Sequence, residues 1–174
     1  IMIEIEMKFK IDHSKIIPIL INLGARNINT EFNHDIYYNH PHKNYKTTDE
    51  SFRVRQTDND IYITYKGPKL NNESKSRKEI NVTVNSDIIH EMLGYLEFQK
   101  EAEVKKTRSI WKLGKYTICL DLVENLGEYI EIEYILPQNH NFEKELNQMK
   151  SFITRLKINV DDQILEGYLD LLLK

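Results

Sequence analysis

The sequence predicts an α+β fold centred on a closed eight-stranded antiparallel β-barrel with a polar lumen and peripheral helices. Three observations lead there. Segments with a period of two recur along the chain, and their polar positions carry formal charge in i, i+2 pairs. The C-terminal stretch then switches to helical spacing.

The elements follow in order. Residues 1–11 alternate without a break, with apolar side chains at the odd positions and Glu4, Glu6, Lys8 and Lys10 at the even ones, as a strand requires. A helix is expected from about Ser14 to Leu23, with Ser14 as its N-cap, Pro18 near the first turn and Gly24 as a left-handed stop. A strand near His34–Asn39 leads into a loop, His40–Asp49, whose Pro, Asn and Thr content discourages regular structure. Phe52–Thr57 and Tyr62–Lys66 read as a hairpin around Asp58-Asn59-Asp60, and Gly67–Ser76 as a polar loop. Both loops are placed to close over a barrel mouth. Arg77–Val84 alternates again, and a short helix over Asp87–Leu93 is capped by Ser86 and stopped near Gly94. Strands are expected at about Val104–Trp111, Tyr116–Glu124 and Tyr129–Leu136. Two helical stripes end the chain: Phe142, Leu146, Met149, Phe152 and Leu156, then Ile164, Leu165, Tyr168, Leu169 and Leu172. The first suits packing on the barrel or a homodimer interface.

A length of 174 residues predicts a single domain over 1–174. A net charge of -3 argues against a duplex nucleic-acid partner, since phosphate backbones select a basic footprint. The one cysteine, Cys119, has no partner for a disulfide and reads as a small strand residue. No apolar stretch is long enough for a membrane span and no leader pattern is visible, so a cytoplasmic protein that does not engage membranes is expected. His40 and His42 flank Pro41 without the three or four convergent ligands of a zinc site, and Trp111 reads as a packing residue.

The polar face of the strands carries Lys8, Arg53, Arg55, Lys66, Arg77, Lys106 and Arg108 beside Glu4, Glu6, Glu79, Asp121, Glu131 and Glu133. A half-buried antiparallel sheet with a solvent side would alternate similarly, but that side would be richer in Thr, Ser, Gln and Asn. Pointing inward, these charges need a hydrated lumen, because a dry core would cost several kcal/mol per ion. Seven bases against six acids leave the face at about +1, and two divalent ions would raise it to about +5, a site for a polyanion.

Asn125-Leu126-Gly127 reads as a three-residue hairpin loop, which pairs Glu124 with Glu128, Val123 with Tyr129 and Asp121 with Glu131. Two carboxylates opposed at about 4 Å repel by roughly 4 kcal/mol at an effective dielectric near 20, unless a cation lies between them. Oxygen-only donors select Mg²⁺ or Mn²⁺.

Glu4-Ile5-Glu6-Met7-Lys8 resembles the ExExK signature of the CYTH superfamily, the triphosphate tunnel metalloenzymes. Glu50-Ser51-Phe52-Arg53-Val54-Arg55, Ile63-Thr64-Tyr65-Lys66-Gly67-Pro68-Lys69, Arg77-Lys78-Glu79, Lys106-Thr107-Arg108 and the acidic Asp121–Glu133 hairpin are similar to its later motifs, in the same order. The texture is closest to the class IV adenylyl cyclase-like branch, which is related to thiamine triphosphatases and inorganic triphosphatases. Asn81 stands where many relatives have a second Glu. The resemblance implies metal ligation by Glu4, Glu6, Asp121, Glu131 and Glu133 and phosphate binding by Lys8, Arg53, Arg55, Lys66, Arg77, Lys106 and Arg108. It also implies catalysis by Glu4, Glu6, Lys8 and Lys66, with Glu79 as a further ligand or an ion-pair partner.

The expected activity is divalent-metal-dependent hydrolysis of a small triphosphate. Cyclisation of ATP to cyclic AMP is the alternative, and no motif supplies the adenine pocket it needs. A polyphosphate-binding module without catalysis, and RNA 5′-triphosphate processing, rank below both.

Overall fold

A computed structural model describes residues 2–70, 76–137 and 140–174. The strands are β1 (Met2–Lys10), β2 (Arg26–Asn39), β3 (Ser51–Gln56), β4 (Ile61–Lys69), β5 (Arg77–Val84), β6 (Gln99–Leu113), β7 (Tyr116–Val123) and β8 (Gly127–Leu136). Helices α1 (His13–Asn22), α2 (Ile89–Tyr95), α3 (Phe142–Arg155) and α4 (Tyr168–Leu172) surround them, with a 3-10 turn at Val160–Asp162.

The strands close into an antiparallel barrel in the order β1-β5-β4-β3-β2-β6-β7-β8. β1 closes the ring, pairing with β8 along most of its length and with β5 over Met2–Glu4. Its alternation divides two environments. Ile5, Met7 and Phe9 face outward into the main core with Ile118, Leu120, Ile130 and Ile132, under Ile16 and Leu20 of α1 and Leu146, Met149 and Ile153 of α3. The apolar stripe of α3 is therefore spent on the barrel. A second cluster packs Ile89 and Leu93 of α2 on Tyr38 and Val54. The third closes one end of the lumen, where Tyr168 of α4 meets Val104, Val123 and Tyr129.

Several boundaries differ from the sequence reading, for identifiable reasons. Asp12 rather than Ser14 caps α1, its carboxylate accepting the Ser14 amide at 2.9 Å, while Gly24 takes the expected left-handed φ of +84°. β2 begins at Arg26, well before His34, because its first half pairs with β6 as an exposed ribbon that has no core to impose alternation. β6 likewise starts at Gln99 rather than Val104. β4 runs on to Lys69, so Gly67–Lys69 is strand; of the expected polar loop, residues 71–75 lie outside the described residues. α2 passes through Gly94, and Glu97 (φ +63°) supplies the left-handed turn instead.

The β7–β8 register differs by two residues from the expected one. Asn125 as well as Gly127 adopts positive φ, so the turn closes at Val123 and Gly127. Asp121 then faces Tyr129, and Glu131 faces Cys119. The hairpin around Asp58-Asn59-Asp60 forms as expected, with Gln56 opposite Ile61.

Met149 is fully buried between α3 and the barrel. Its replacement by Ala should cost about 2–5 kcal/mol of unfolding free energy, measured by urea denaturation at unchanged m-value. A loss below about 1 kcal/mol would mean that α3 contributes little to holding the barrel.

Candidate active site

The lumen charges reach their positions through strand register. Asp35 of β2 lies opposite Arg55 of β3, Lys66 of β4 opposite Glu79 of β5, Arg108 of β6 opposite Asp121 of β7, and Lys8 of β1 opposite Glu131 of β8. Each is a pair of opposite sign. Glu6 and Glu133, also directly opposed, are of like sign. The two-carboxylate confrontation expected between Asp121 and Glu131 thus occurs one strand over, between β1 and β8.

Three groups of ion pairs organise the wall. Asp35 accepts Arg55 Nε at 2.6 Å, Arg55 Nη2 at 2.7 Å and Arg53 Nη1 at 3.0 Å. Lys66 Nζ stands 2.6 Å from Glu79, 3.7 Å from Glu6 and 3.8 Å from Glu4. Arg108 donates to both oxygens of Asp121, at 2.7 and 2.6 Å, to Glu131, and to Glu133 at 3.3 Å; Lys106 adds a bond to Asp121 at 2.7 Å.

A cavity of about 880 Å³ collects most of these side chains. Glu4, Glu6, Arg53, Arg55, Lys66, Arg77, Glu79, Lys106, Arg108, Glu131 and Glu133 line it, as does Asn81, which donates to Glu79 at 2.7 Å. Lys8 and Asp121 do not. Lys8 is fully buried beneath the C-terminal segment, its ammonium donating to the Glu166 carbonyl and lying 4.2 Å from the Tyr168 ring centre. Asp121 is equally buried, and Lys106, Arg108 and the Tyr168 hydroxyl (2.9 Å) take its oxygens. In this geometry its carboxylate holds bases in place.

Other wall residues escaped the sequence reading. Asp35 is one acid in the mostly apolar run His34-Asp35-Ile36-Tyr37-Tyr38, and only its parity with Asn33 and Tyr37 signals an inward side chain. Asp49 meets Lys69 and Arg77, and Glu50 accepts from Lys43, Thr48 and Tyr65, so the end of the 40–49 loop is tied to the barrel mouth. Nothing in local pattern predicts the arrival of Tyr168 from the chain terminus.

Burial raises the Glu4 carboxyl well above its ordinary range against the pull of Lys66, with Glu133 and Glu79 adding to the rise. Glu133 is raised likewise, by burial against the opposition of Arg108, with Glu131 and Glu6 contributing. Lys66 moves up despite burial, because Glu79, Glu4 and Glu6 outweigh the desolvation. Burial and the neighbouring Arg108 lower Lys106. The carboxylates of Glu4, Glu6, Glu79 and Glu133 in one cavity supply only hard oxygen donors, the chemistry that suits a divalent cation. Among the described residues no three such groups already stand at ligating distance.

The CYTH domain family matches residues 2–168. The chain belongs to the CYTH family. A protein of Methanocaldococcus jannaschii, named provisionally as an adenylate cyclase, is 34% identical over 172 residues, 98% of each chain. The PH1819 protein of Pyrococcus horikoshii is 32% identical and superposes with a TM-score of 0.89 over 98% of each chain. A Hippeastrum protein, HpAC1, described as having a dominant triphosphatase activity, shares the fold at a TM-score of 0.65 and 15% identity, over 96% of this chain and 91% of its own. CYTH triphosphate tunnel enzymes generally use divalent metals. Among the described residues no helix is long and apolar enough to cross a membrane.

A CYTH wall of this kind should bind cations in a pH-dependent way. Glu4 and Glu133 keep their protons to higher pH than a free glutamate, and a cation takes only the carboxylate. Mg²⁺ affinity measured by calorimetry should therefore rise as pH climbs above the ordinary glutamate range, with net proton release, and Glu4→Gln should blunt the rise. An affinity independent of pH there would remove these two groups from the cation site.

Proposed function

We propose that the chain is a divalent-metal-dependent hydrolase of a small triphosphate. The observation that carries this reading is the opposed Glu6–Glu133 pair, set in one chamber with Glu4, Glu79 and seven arginine and lysine side chains beyond Lys66. Like-charged carboxylates at a strand pairing call for a cation, and the surrounding guanidiniums call for an anion.

Glu4, Glu6 and Glu133 would hold the cation, with Glu79, Glu131 and Asp121 as further acidic groups of the same wall. A bound Mg²⁺ or Mn²⁺ supplies Lewis-acid activation of water and of the phosphate chain. The protein side chains do the rest. Arg53, Arg55 and Arg108 present planar forks to phosphate oxygens, while Lys66, Lys106 and Arg77 add positive charge along the chain. Arg53 Nε is buried and without a hydrogen-bond partner among the described residues, an unmet donor in the wall. Enclosure strengthens each of these interactions relative to bulk water. Lys8, covered by the C-terminal segment, would act on the field from behind the wall.

Cyclisation of ATP is the second reading. The cavity volume lies near the upper end of the range for drug-sized ligands, more than a bare triphosphate needs, and Tyr37, Tyr45, Phe52 and Tyr62 are among its lining. The name of the Methanocaldococcus relative points the same way. The triphosphatase activity described for the Hippeastrum protein supports the first reading only at the level of shared fold.

The test is product identification after incubation with Mg²⁺ or Mn²⁺ and, separately, inorganic triphosphate, ATP and thiamine triphosphate. Orthophosphate release is expected; cyclic AMP with pyrophosphate would replace the hydrolase by the cyclase. Binding without turnover of any of the three would leave a polyphosphate-binding module. Glu6→Gln should lower turnover about a hundredfold or more by weakening cation binding.

A further inference from the structure

The basic half of the wall rests on an acid that no family motif quoted above includes. Asp35 is 1% exposed. Its two oxygens take three guanidinium N–H groups from two successive inward positions of β3, Arg53 and Arg55. The pairing with Arg55 uses Nε and Nη2 on separate oxygens, a fork that fixes the plane of the guanidinium as well as its place. Burial would push the Asp35 carboxyl up, but Arg53 and Arg55 outweigh it and hold the group ionised below the usual range.

We infer that Asp35 is a positioning residue for phosphate recognition: it orients the Arg53 and Arg55 guanidiniums toward the cavity without itself contacting the substrate. This rests on the triphosphate reading of the site. All three bonds to Asp35 engage one edge of each guanidinium, so the remaining N–H groups of the two arginines are directed by that clamp. Arg53 keeps its buried Nε unpaired among the described residues. The two arginines therefore stand as a preset pair of donors rather than as flexible side chains that must be ordered when a ligand arrives.

Asp35→Asn removes a negative charge from the cavity wall, so electrostatics alone would tighten the binding of a polyanion. Positioning predicts the reverse. An asparagine offers one acceptor and one donor where the arginines need two acceptors, so the fork is lost and binding weakens.

The experiment is calorimetric titration of inorganic triphosphate, in a metal chelator, into wild type, Asp35→Asn and Asp35→Glu, with thermal unfolding as the control for folding. Wild type should bind, Asp35→Asn should bind about tenfold weaker or worse, and Asp35→Glu, which keeps both acceptors, should recover part of the loss. Turnover with Mg²⁺ should show the same defect chiefly in KM. Equal or tighter binding by folded Asp35→Asn would overturn the positioning role and leave the proposed function standing. Should Asp35→Asn fail to fold, Asp35→Glu binding as weakly as an Arg55→Ala variant would overturn the role, and intermediate binding would support it. Absence of triphosphate binding by wild type would sink both.

Discussion

The whole arrangement depends on charge neutrality inside a closed ring. A strand has two faces, and in a barrel one of them has nowhere to go but the lumen. Charges placed there lose much of their hydration, a cost of several kcal/mol per ion that only close partners of opposite sign offset. Register provides those partners at Asp35–Arg55, Lys66–Glu79, Arg108–Asp121 and Lys8–Glu131. At Glu6–Glu133 it does not. Lys66 at 3.7 Å from Glu6 and Arg108 at 3.3 Å from Glu133 relieve that pair from either side. Replacing buried ion pairs by apolar side chains of similar volume is often neutral or stabilising, so these pairs are no evidence of added stability by themselves.

The same alternation that loads the lumen also builds the core on the outside. Each lumen charge on β1 is the immediate neighbour in sequence of a buried apolar side chain, Ile5, Met7 or Phe9. A register slip of one residue would exchange the two sets, burying carboxylates under α3 and exposing the isoleucines to water. Site and stability are thus coupled through one geometric rule. The C-terminal segment adds the remaining constraint. Ile164 donates its amide to the Lys8 carbonyl at 2.8 Å, and Tyr168 ties Asp121 to the apolar cluster at the end of the lumen. One mouth of the barrel is in this way lined by the chain's own tail.

Legibility in the sequence tracks how local each determinant is. β1 was readable because its alternation is complete over nine residues and both faces have definite environments. The first half of β2 was not, because Arg26–Glu31 pairs with β6 outside the core and no face of it is buried. The acids of β7 and β8 were identified as wall residues, but their partners were misplaced. A left-handed Asn125 moved the turn, a choice between Asn and Gly that local sequence leaves open. Lys8 went astray for a different reason. Its strand position fixes its face, but its covering arrives from Glu166, 158 residues away. Asp35 was silent because a single acid has no periodicity of its own; only a cross-strand partner gives it meaning.

The ion pairs in the wall also constrain how a ligand can enter. Arg53, Arg55, Lys66 and Arg108 are each already bonded to a carboxylate, so a phosphate chain is not met by idle cations. On the proposed reading, occupation is an exchange of partners. Carboxylates such as Glu6 and Glu133 would hold the cation, and the bases beside them would be free to turn to phosphate oxygens. Either partner can bind alone, but both together restore neutrality, so each should bind more tightly in the presence of the other. Asp35 differs from the acids of β1 and β8 in this exchange. With both oxygens bonded to two guanidiniums and almost no exposure, it does not line the cavity. On that reading the wall divides into acids that trade partners and two buried acids, Asp35 and Asp121, that keep them, so a chamber of mixed charge would hold its arginines in place while its other carboxylates change hands.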